Sequence, residues 1–325
     1  MKNIPHLHLE DLPQWAESRR QAFHDQYYAM YSSVLGGIVT DPMLMVVPID
    51  DHMVHRGDGV FETFKCLEGH LYNLDAHLAR LERSAGRLEI EKPFSRADLR
   101  HLVTQTVRAG GRKDCTVRLF LSRGPGSLGV NPYDSPRAGL YIIATALPPS
   151  SVERHPGGAT ARTSRVPVKH PFFATIKSCN YLPNVLMKKE AVDAGVDYVI
   201  GYDDRGCLAE GPTENIGIVS DQRILQVPRD HNILDGTTMR RVMTLAETHI
   251  ADGPLRGVRM CDIARADVEQ ASEILAFGTT PDVVPIVDMD GERVGTGSPG
   301  PASEWLRELL RHDMLNNRDL LTPAF

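Results

Sequence analysis

The stretch ATIKSCNYLPN, residues 174–184, contains a lysine in unusual surroundings. Apolar, hydroxyl, thiol and amide side chains flank Lys177, and no acidic residue lies within five positions of it on either side. Desolvation in such company disfavours the ammonium form and lowers the pKa of a lysine towards neutrality. A neutral amine attacks an aldehyde to form a Schiff base. Because a lone lysine is more often structural or solvated than catalytic, the rest of the chain must decide between the two interpretations.

The composition is that of a globular protein with room for two domains. The chain has 325 residues, of which 42% are hydrophobic and 24% charged. The net charge of −6 and the lack of a long basic run argue against nucleic acid as a partner. Its apolar runs are short, so we expect no membrane span. Five scattered cysteines without a Cys-x-x-Cys pair favour a reducing, cytoplasmic location and argue against a disulfide scaffold or zinc site.

The order of the predicted elements divides the chain into two domains and gives an α+β or α/β fold class. Apolar positions at helical spacing predict a helix over Leu9–Tyr31, and Met43–Val47 is a strand candidate. The β-rich run Cys115–Ser122 predicts a strand, and a helix is predicted over about Leu182–Ala194. A Pro- and Ser-rich segment predicts a linker, and many hairpin signals follow it. The predicted units are an N-terminal helical extension (1–40), a small α/β domain (41–147), an interdomain linker (148–152) and a large, strand-rich domain (153–325).

Three separate features indicate binding of a phosphate group. Residues 234–238, LDGTT, stand directly before a predicted helix, where glycine allows close approach and the helix N-terminus favours an anion. Residues 277–281, FGTTP, follow a predicted strand, and Arg80 lies on a predicted helix from which it can grip phosphate. Each feature also has an ordinary structural explanation, namely a helix cap, a Gly/Pro turn and a solvated arginine.

A carboxylate is predicted at the end of an apolar strand. Glu210, in LAEGPTENI (208–216), is either an exposed charge or a buried group paired with a cation. A protonated ring nitrogen is such a cation, and carbanion chemistry on a pyridine cofactor is helped by keeping it protonated.

Other constellations point away from metal or hydrolase chemistry. His52 and His55 stand three residues apart, but no third ligand follows at a suitable spacing, so we predict no metal site. Residues 124–129, GPGSLG, lack the Gly-Lys-Ser/Thr ending of a phosphate loop and predict a mobile loop. The chain also lacks a Gly-x-Ser-x-Gly nucleophile elbow.

Taken together, five motifs resemble, in order and spacing, those of the class IV aminotransferases. These fold type IV pyridoxal-phosphate enzymes include D-amino-acid aminotransferases, branched-chain aminotransferases and aminodeoxychorismate lyases. The wording DHMVHRG (51–57) with KSCNYLPNVL (177–186) looks closest to the plant-type D-amino-acid branch. The resemblance runs from about Met43 to Val294, and its motifs are His77–Leu81, Thr175–Val185, Ala209–Ile216, Leu234–Arg241 and Phe277–Pro285.

The resemblance implies a role for each matching residue. Lys177 is expected to be the catalytic, Schiff-base lysine, and Glu210 is expected to keep the pyridine nitrogen protonated. The remaining expected cofactor ligands are Arg80, Thr237, Thr238 and Thr279 at the phosphate and Tyr181 near the ring's 3′-oxygen; the expected substrate-binding residues are Phe61, Arg118 and Thr280. The resemblance further implies a homodimer, an N-terminal α/β sandwich-like domain and a C-terminal, strand-rich pseudo-barrel domain that binds pyridoxal 5′-phosphate.

The substrate is left open by departures from the family's patterns. Phe61 stands where the bacterial D-amino-acid enzymes have a tyrosine, and residues 135–139, SPRAG, lack their Arg-x-His pair. Residues 129–132, GVNP, are similar to branched-chain enzymes instead. We therefore expect transfer of the amino group of an amino acid, with a D-amino acid favoured, to a 2-keto acid. The alternatives are a branched-chain L-amino acid and, because Thr63 lies near a threonine used by those lyases, 4-amino-4-deoxychorismate.

Overall fold

Two β-sheets form the framework of the protein. The computed structural model describes residues 4–325, so the first three residues of the predicted extension lie outside it. Within this range the strands are β1 (Tyr27–Ser32), β2 (Gly37–Val39), β3 (Gly59–Leu67), β4 (His70–Tyr72), β5 (Cys115–Ser122), β6 (Gly139–Thr145), β7 (Ala159–Thr163), β8 (Tyr198–Ile200), β9 (Asn215–Val219), β10 (Ile224–Val227), β11 (Gly257–Met260), β12 (Glu273–Gly278), β13 (Asp282–Met289), β14 (Glu292–Arg293) and β15 (Leu321–Pro323).

Helices pack against both sheets. None of those in residues 4–325 is long and apolar enough to cross a membrane. They are α1 (Leu12–Arg19), α2 (His52–Arg56), α3 (Leu74–Arg87), α4 (Arg96–Gly110), α5 (Ser151–Arg154), α6 (Pro171–Ala174), α7 (Leu182–Ala194), α8 (Thr237–Thr248), α9 (Arg265–Glu269) and α10 (Pro301–Asn316).

The first sheet is antiparallel throughout and runs β15-β4-β3-β5-β6-β1-β2. Side chains of β3 alternate between its two faces. Val60 and Phe64 are fully buried on the face that α3 covers, where they join Leu78 and Leu81 in one apolar core. The opposite face of β3 carries Phe61 and therefore points away from this core.

The second sheet is mixed and runs β11-β10-β9-β12-β13-β7-β8, with β14 beside β13. Its strands β9, β12 and β13 pair antiparallel, whereas β7 pairs in parallel with β13 and β8. Helices α8 and α10 pack on one face, around residues such as Met239 and Leu306. A separate cluster that includes Ile216 and Ile274 fills the other face.

Local sequence explains the limits of the helix that follows the lysine stretch. Pro183 stands in the first turn of α7, where a missing N–H costs nothing. Gly195 ends the helix in the left-handed region, with φ of +69°, and its N–H donates to the carbonyls of Ala191 and Val192. The predicted helix over residues 182–194 therefore matches the structure.

Two predictions for the N-terminal part are wrong. The helix predicted over Leu9–Tyr31 ends at Arg19, and β1 begins at Tyr27 because its aromatic residues pair with β6 inside the first sheet. The strand candidate Met43–Val47 is instead a short 3₁₀ helix, Pro42–Leu44, which Asp41 caps by accepting from the N–H of Met43. The predicted domain boundaries themselves stay predictions.

Candidate active site

Main-chain hydrogen bonds fix the lysine stretch against the first sheet. The N–H of Phe61 donates to the carbonyl of Lys177 at 3.0 Å, and the N–H of Cys179 donates to the carbonyl of Gly59 at 2.8 Å. The N–H of Lys177 donates to the hydroxyl of Ser84 on α3 at 3.2 Å. The side chain of Lys177 is thereby held beside the face of β3 that points away from the core.

The amine of Lys177 is buried and lies beside two aromatic rings. Its Nζ lies 4.5 Å from the centroid of the Phe61 ring and 3.5 Å from the hydroxyl oxygen of Tyr181. Burial, together with the nearby Arg80 cation, lowers the pKa of Lys177 to about 8. A substantial fraction of the amine is therefore neutral near physiological pH, as the sequence predicted.

Glu210 lies in the same small cavity as the amine. One of its carboxylate oxygens accepts from the N–H of Leu234 at 3.0 Å. Lys177, Tyr181 and Glu210 line this cavity together with Lys169. Burial raises the pKa of Glu210, and the positive charge of Lys169 opposes this rise. Sequence reasoning missed Lys169, whose Nζ lies 5.1 Å from the centroid of the Tyr181 ring.

Arg80 is buried and fully oriented, which is the opposite of a solvated helix arginine. Its Nε and Nη2 donate to the two carboxylate oxygens of Glu62 at 2.7 and 2.8 Å, and its Nη1 donates to the carbonyl of Asp235 at 3.1 Å. Burial alone would raise the pKa of Glu62, but Arg80 and His77 hold it at about 2. Glu62 is thus a buried anion that fixes the guanidinium.

A hydrogen-bonded chain extends from Glu62 to the start of α8. The Nδ1 of His77 lies 2.8 Å from a carboxylate oxygen of Glu62, and its Nε2 lies 3.3 Å from the hydroxyl oxygen of Thr237. Sequence reasoning missed Glu62 and His77. The available signal was a charged residue between Val60 and Phe64, on the apolar face of an alternating strand, because a buried charge requires a partner.

The N-terminus of α8 meets the β12–β13 turn. Thr237 and Thr238 open the helix, whose first turn contains no acidic residue. Together with Thr279, they line one small cavity. A Cβ on the N-cap residue Gly236 would lie 1.8 Å from Oδ1 of Asn215 and would displace this side chain, whose Nδ2 donates to the carbonyl of Leu234 at 2.8 Å. A helix N-terminus flanked by hydroxyls is a suitable site for an anion.

A cleft of about 620 Å³ opens beside the lysine. Phe61 packs edge-on against Tyr181, with ring centroids 5.1 Å apart. Arg118 is exposed, stands opposite Thr63 in the β3–β5 register, and donates to the hydroxyl of Thr145 at 3.3 Å. The predicted site residues that line this cleft are Phe61, Arg118, Lys177, Tyr181, Thr279 and Thr280.

His52 and His55, whose spacing hints at a metal site, do not line the cleft. The rings of His52 and His55 are 5.0 Å apart, and Nδ1 of His52 lies 3.1 Å from a carboxylate oxygen of Asp58. Within residues 4–325, no three His, Cys, Asp or Glu side chains gather as metal ligands would.

A family model described as amino-transferase class IV matches residues 59–289. The chain belongs to this family. The aminotransferase is 41% identical, over 89% of its length and 77% of the relative's, to the chloroplastic D-amino-acid transaminase of Arabidopsis thaliana. It is 29% identical, over 83% of its length and 92% of the relative's, to a D-alanine aminotransferase of Bacillus licheniformis.

Solved structures of aminotransferases share the fold. The branched-chain amino acid aminotransferase of T.th., solved with pyridoxamine 5′-phosphate, superposes with a TM-score of 0.85 at 26% identity, covering 92% of this chain and 99% of that one. The Escherichia coli branched-chain enzyme gives a TM-score of 0.84 at 22% identity, covering 92% and 100%. The predictions of a fold type IV, two-domain aminotransferase that depends on pyridoxal phosphate are therefore confirmed.

The residues of this aminotransferase fit the cofactor. Pyridoxal 5′-phosphate requires an amine for its aldehyde, a carboxylate for its ring nitrogen and an anion site for its phosphate. Lys177 has a lowered pKa, and the carboxylate of Glu210 lies in the same cavity. At Gly236, a side chain would displace Asn215, and glycine leaves the backbone at the α8 N-terminus open to the approach of a phosphate.

Proposed function

We propose that the aminotransferase exchanges the amino group between a D-amino acid and a 2-keto acid. The observation that carries this proposal is the 41% identity, over 89% of the chain, with the D-amino-acid transaminase of A. thaliana. The site supports it because Lys177 lines both the cleft and the small cavity of Glu210, and Thr279 lines both the cleft and the proposed anion site. The predicted roles of the individual residues are proposals that rest on this geometry.

Lys177 is proposed to hold the cofactor through its aldehyde carbon and then to move a proton. When bound, pyridoxal phosphate supplies an electron sink for the negative charge that develops at the substrate's α-carbon. Nζ of Lys177, once free and neutral, takes the α-proton from the substrate and then delivers it to the cofactor. The lowered pKa of Lys177, about 8, supports this role because a general base must be unprotonated to accept a proton.

Glu210 is proposed to keep the cofactor's ring nitrogen protonated. The N–H of Leu234 donates to one carboxylate oxygen and orients the group. Because burial raises the pKa of Glu210, a nearby cation is needed to keep it ionised, and Lys169 supplies one. Tyr181, whose hydroxyl faces Lys177, is proposed to contact the 3′-oxygen of the ring.

Arg80 and the three threonines are proposed to bind the phosphate. A guanidinium has five N–H groups, and Glu62 and Asp235 occupy three of those of Arg80. The remaining two are free to donate to a phosphate oxygen. Glu62 therefore orients Arg80 without consuming its capacity. Thr237, Thr238 and Thr279 supply hydroxyl and backbone donors at a cavity that His77 also lines, and His77 shares the carboxylate of Glu62 with Arg80.

Substrate recognition is proposed for the outer part of the cleft. Arg118 is exposed and forms no ion pair among the described residues, so its guanidinium is available to a carboxylate. Thr280 and Phe61 line the same cleft and are proposed to contact the substrate beside it.

A panel of half-reactions tests the proposed substrate. The holoenzyme is mixed with single amine donors, namely D-alanine, D-glutamate, L-alanine, L-leucine and (R)-1-phenylethylamine, and the change in cofactor absorbance is followed. We expect the two D-amino acids to react faster than the L-amino acids by at least about 100-fold, which corresponds to about 2.7 kcal/mol of discrimination. Faster reaction with L-leucine would favour the branched-chain alternative. Pyruvate release from 4-amino-4-deoxychorismate without a keto-acid acceptor would favour the lyase alternative.

We also propose that the aminotransferase works as a homodimer. Phe172 and Phe173 of α6 and, at helical spacing on α7, Leu182, Val185 and Leu186 are exposed apolar side chains. Val185 also lines the cleft, so a second copy that covered these side chains would bury apolar surface and close one side of the site. In light scattering, a mass near 36.0 kDa, that of one chain, would contradict this proposal.

The cellular location stays a prediction. A cytoplasmic location rests on the usage of cysteine, and all five cysteines are free thiols. The A. thaliana relative is named as chloroplastic, so it lends no support to the cytoplasm.

A further inference from the structure

Lys65 and Asp282 form a buried ion pair that connects the two sheets. Nζ of Lys65, on β3, lies 2.6 Å from a carboxylate oxygen of Asp282, the first residue of β13. The two side chains are only 10% and 16% exposed. Sequence reasoning assigned neither residue a role.

The lysine extends from the face of β3 that borders the site. Alternation places Glu62 and Phe64 on the core face and Phe61, Thr63 and Lys65 on the other. Phe61 and Thr63 line the substrate cleft, so Lys65 continues this row by one further position. A contact of Lys65 with the second sheet therefore sets the spacing beside the cleft.

The aspartate belongs to a tight turn that carries two proposed ligands. Gly278 pairs with Asp282, which leaves a loop of three residues, Thr279, Thr280 and Pro281. A Cβ on Gly278 would lie 2.9 Å from Pro281. Asp282 has φ of +62°, in the left-handed region that L side chains seldom adopt. With its backbone so constrained, an anchor on the Asp282 side chain fixes the position of Thr279.

The ion pair borders the cavity proposed for the phosphate. Lys65 and Asp282 line it together with Thr237, Thr238 and Thr279. Removing two charges from water is costly, and well-packed apolar pairs of similar size often stabilise a fold as well as a buried ion pair does. Stability alone therefore does not account for this pair, whereas a directional link between the two sheets does.

We propose that Lys65 is a positioning residue whose ion pair with Asp282 places Thr279 for the cofactor's phosphate. This inference rests on the proposed function, in which Thr279 is a phosphate ligand. Lys65 acts through the turn and touches neither substrate nor cofactor. The expected consequence is tighter cofactor binding, measurable without catalysis.

A double-mutant cycle on the cofactor's dissociation constant tests this proposal. The unaltered chain and its variants are first depleted of cofactor. Pyridoxal phosphate is then titrated into each, and its binding is followed by fluorescence. We expect Lys65→Met and Thr279→Val each to weaken binding about tenfold or more, as does loss of a hydrogen bond to a charged group. Because Lys65 acts through Thr279, the double variant should bind within about threefold of Thr279→Val alone, whereas independent effects would multiply to about 100-fold. Multiplication would overturn the proposal.

Two further variants separate the positioning role from direct contact. Asp282→Asn should weaken binding as much as Lys65→Met does, and Lys65→Arg, which keeps the ion pair, should restore binding. If Lys65 gripped the phosphate itself, Asp282→Asn would free the lysine and leave the dissociation constant unchanged or lower, which would overturn the proposal. Should Lys65→Met fail to fold, Asp282→Asn with and without Thr279→Val gives the same cycle.

A matched control removes an ion pair of similar burial within the first domain. Nε of Arg123 lies 3.0 Å from a carboxylate oxygen of Asp58, beyond the opposite end of β3, and the side chains are 16% and 20% exposed. Arg123→Met should leave the dissociation constant within about threefold of the unaltered chain, as expected for a site without shared partners. A larger change would show that any lost ion pair loosens the site. Unchanged binding by Thr279→Val alone would instead overturn the phosphate assignment, and the positioning role with it.

Discussion

Replacing Lys177 with alanine is expected to lower the rate of transamination by about 10⁴-fold or more, the upper end of what a positioned general base contributes. The change removes both the amine that holds the cofactor and the base that moves the α-proton. Stopped-flow measurement of the half-reaction with D-alanine gives this rate directly. Absorbance of the bound cofactor near the visible edge should be lost in the same variant.

The Lys177→Arg variant distinguishes loss of the base from loss of the positive charge. Lys177→Arg keeps a cation beside the Phe61 ring, but a guanidinium with a pKa above about 12 cannot act as a base, so the variant should be as inactive as alanine. Lys189→Ala, on the exposed side of α7, is the matched control and should keep full activity. Full turnover by Lys177→Ala would remove this lysine from its role.

In the unaltered chain, covalent binding of the cofactor by Lys177 should increase with pH through about 8, where Lys177 loses its proton.

Glu210→Gln is expected to retain the cofactor but to slow the half-reaction by about 10²–10³-fold, the usual cost of losing one preorganised electrostatic partner. Glutamine has nearly the same shape and still accepts from the N–H of Leu234, so the fold and the cavity are preserved. It carries no negative charge, however, and cannot stabilise a protonated ring nitrogen. The half-reaction rate, measured together with the cofactor's dissociation constant, distinguishes slowed chemistry from weakened binding.

The control for Glu210 is an exposed carboxylate of the second domain. Glu269→Gln on α9 removes the same charge from an exposed residue that does not line the cavity, and should leave the half-reaction unchanged. A Glu210→Gln variant with unaltered rate would show that another group protonates the ring. Loss of cofactor at unchanged rate constant would indicate a binding role instead.

Much of the candidate site was predictable because each ligand sits in a short local pattern. Lys177 stands in a run without acids, and Thr237 follows a glycine directly before a helix. Residues 115–122 and 182–194 form the strand and the helix that their patterns predict, with the same limits. These are cases in which propensity, capping and burial all favour one structure.

The partners of these ligands were not predictable from local patterns. Glu62 meets Arg80 eighteen positions later, and Lys65 meets Asp282 over 217 positions. A single sequence reveals that a charge lies on an apolar face, but not which distant charge lies opposite. Lys169 was missed for the same reason, because only the folded chain brings it into the cavity of Glu210.

The wrong prediction near the N-terminus has a different cause. Phe23 and Tyr27 are four positions apart, so they fit a helical period, yet the run YYAMYS over residues 27–32 has the aromatic content of a strand. Pairing with β6 decides in favour of the strand. Tertiary contacts thus override an ambiguous period.

The position of β15 in the sequence affects how the first sheet forms during synthesis. It adds residues 321–323 to the edge of the first sheet beside β4, and Ala324 is fully buried in the core that β3 and α3 began some 250 positions earlier. The edge of the first sheet at β4 therefore stays unpaired until residues 321–323 have left the ribosome. Nascent chains must hold an unfinished sheet with an open edge through most of elongation, which is the interval in which a chaperone would find them.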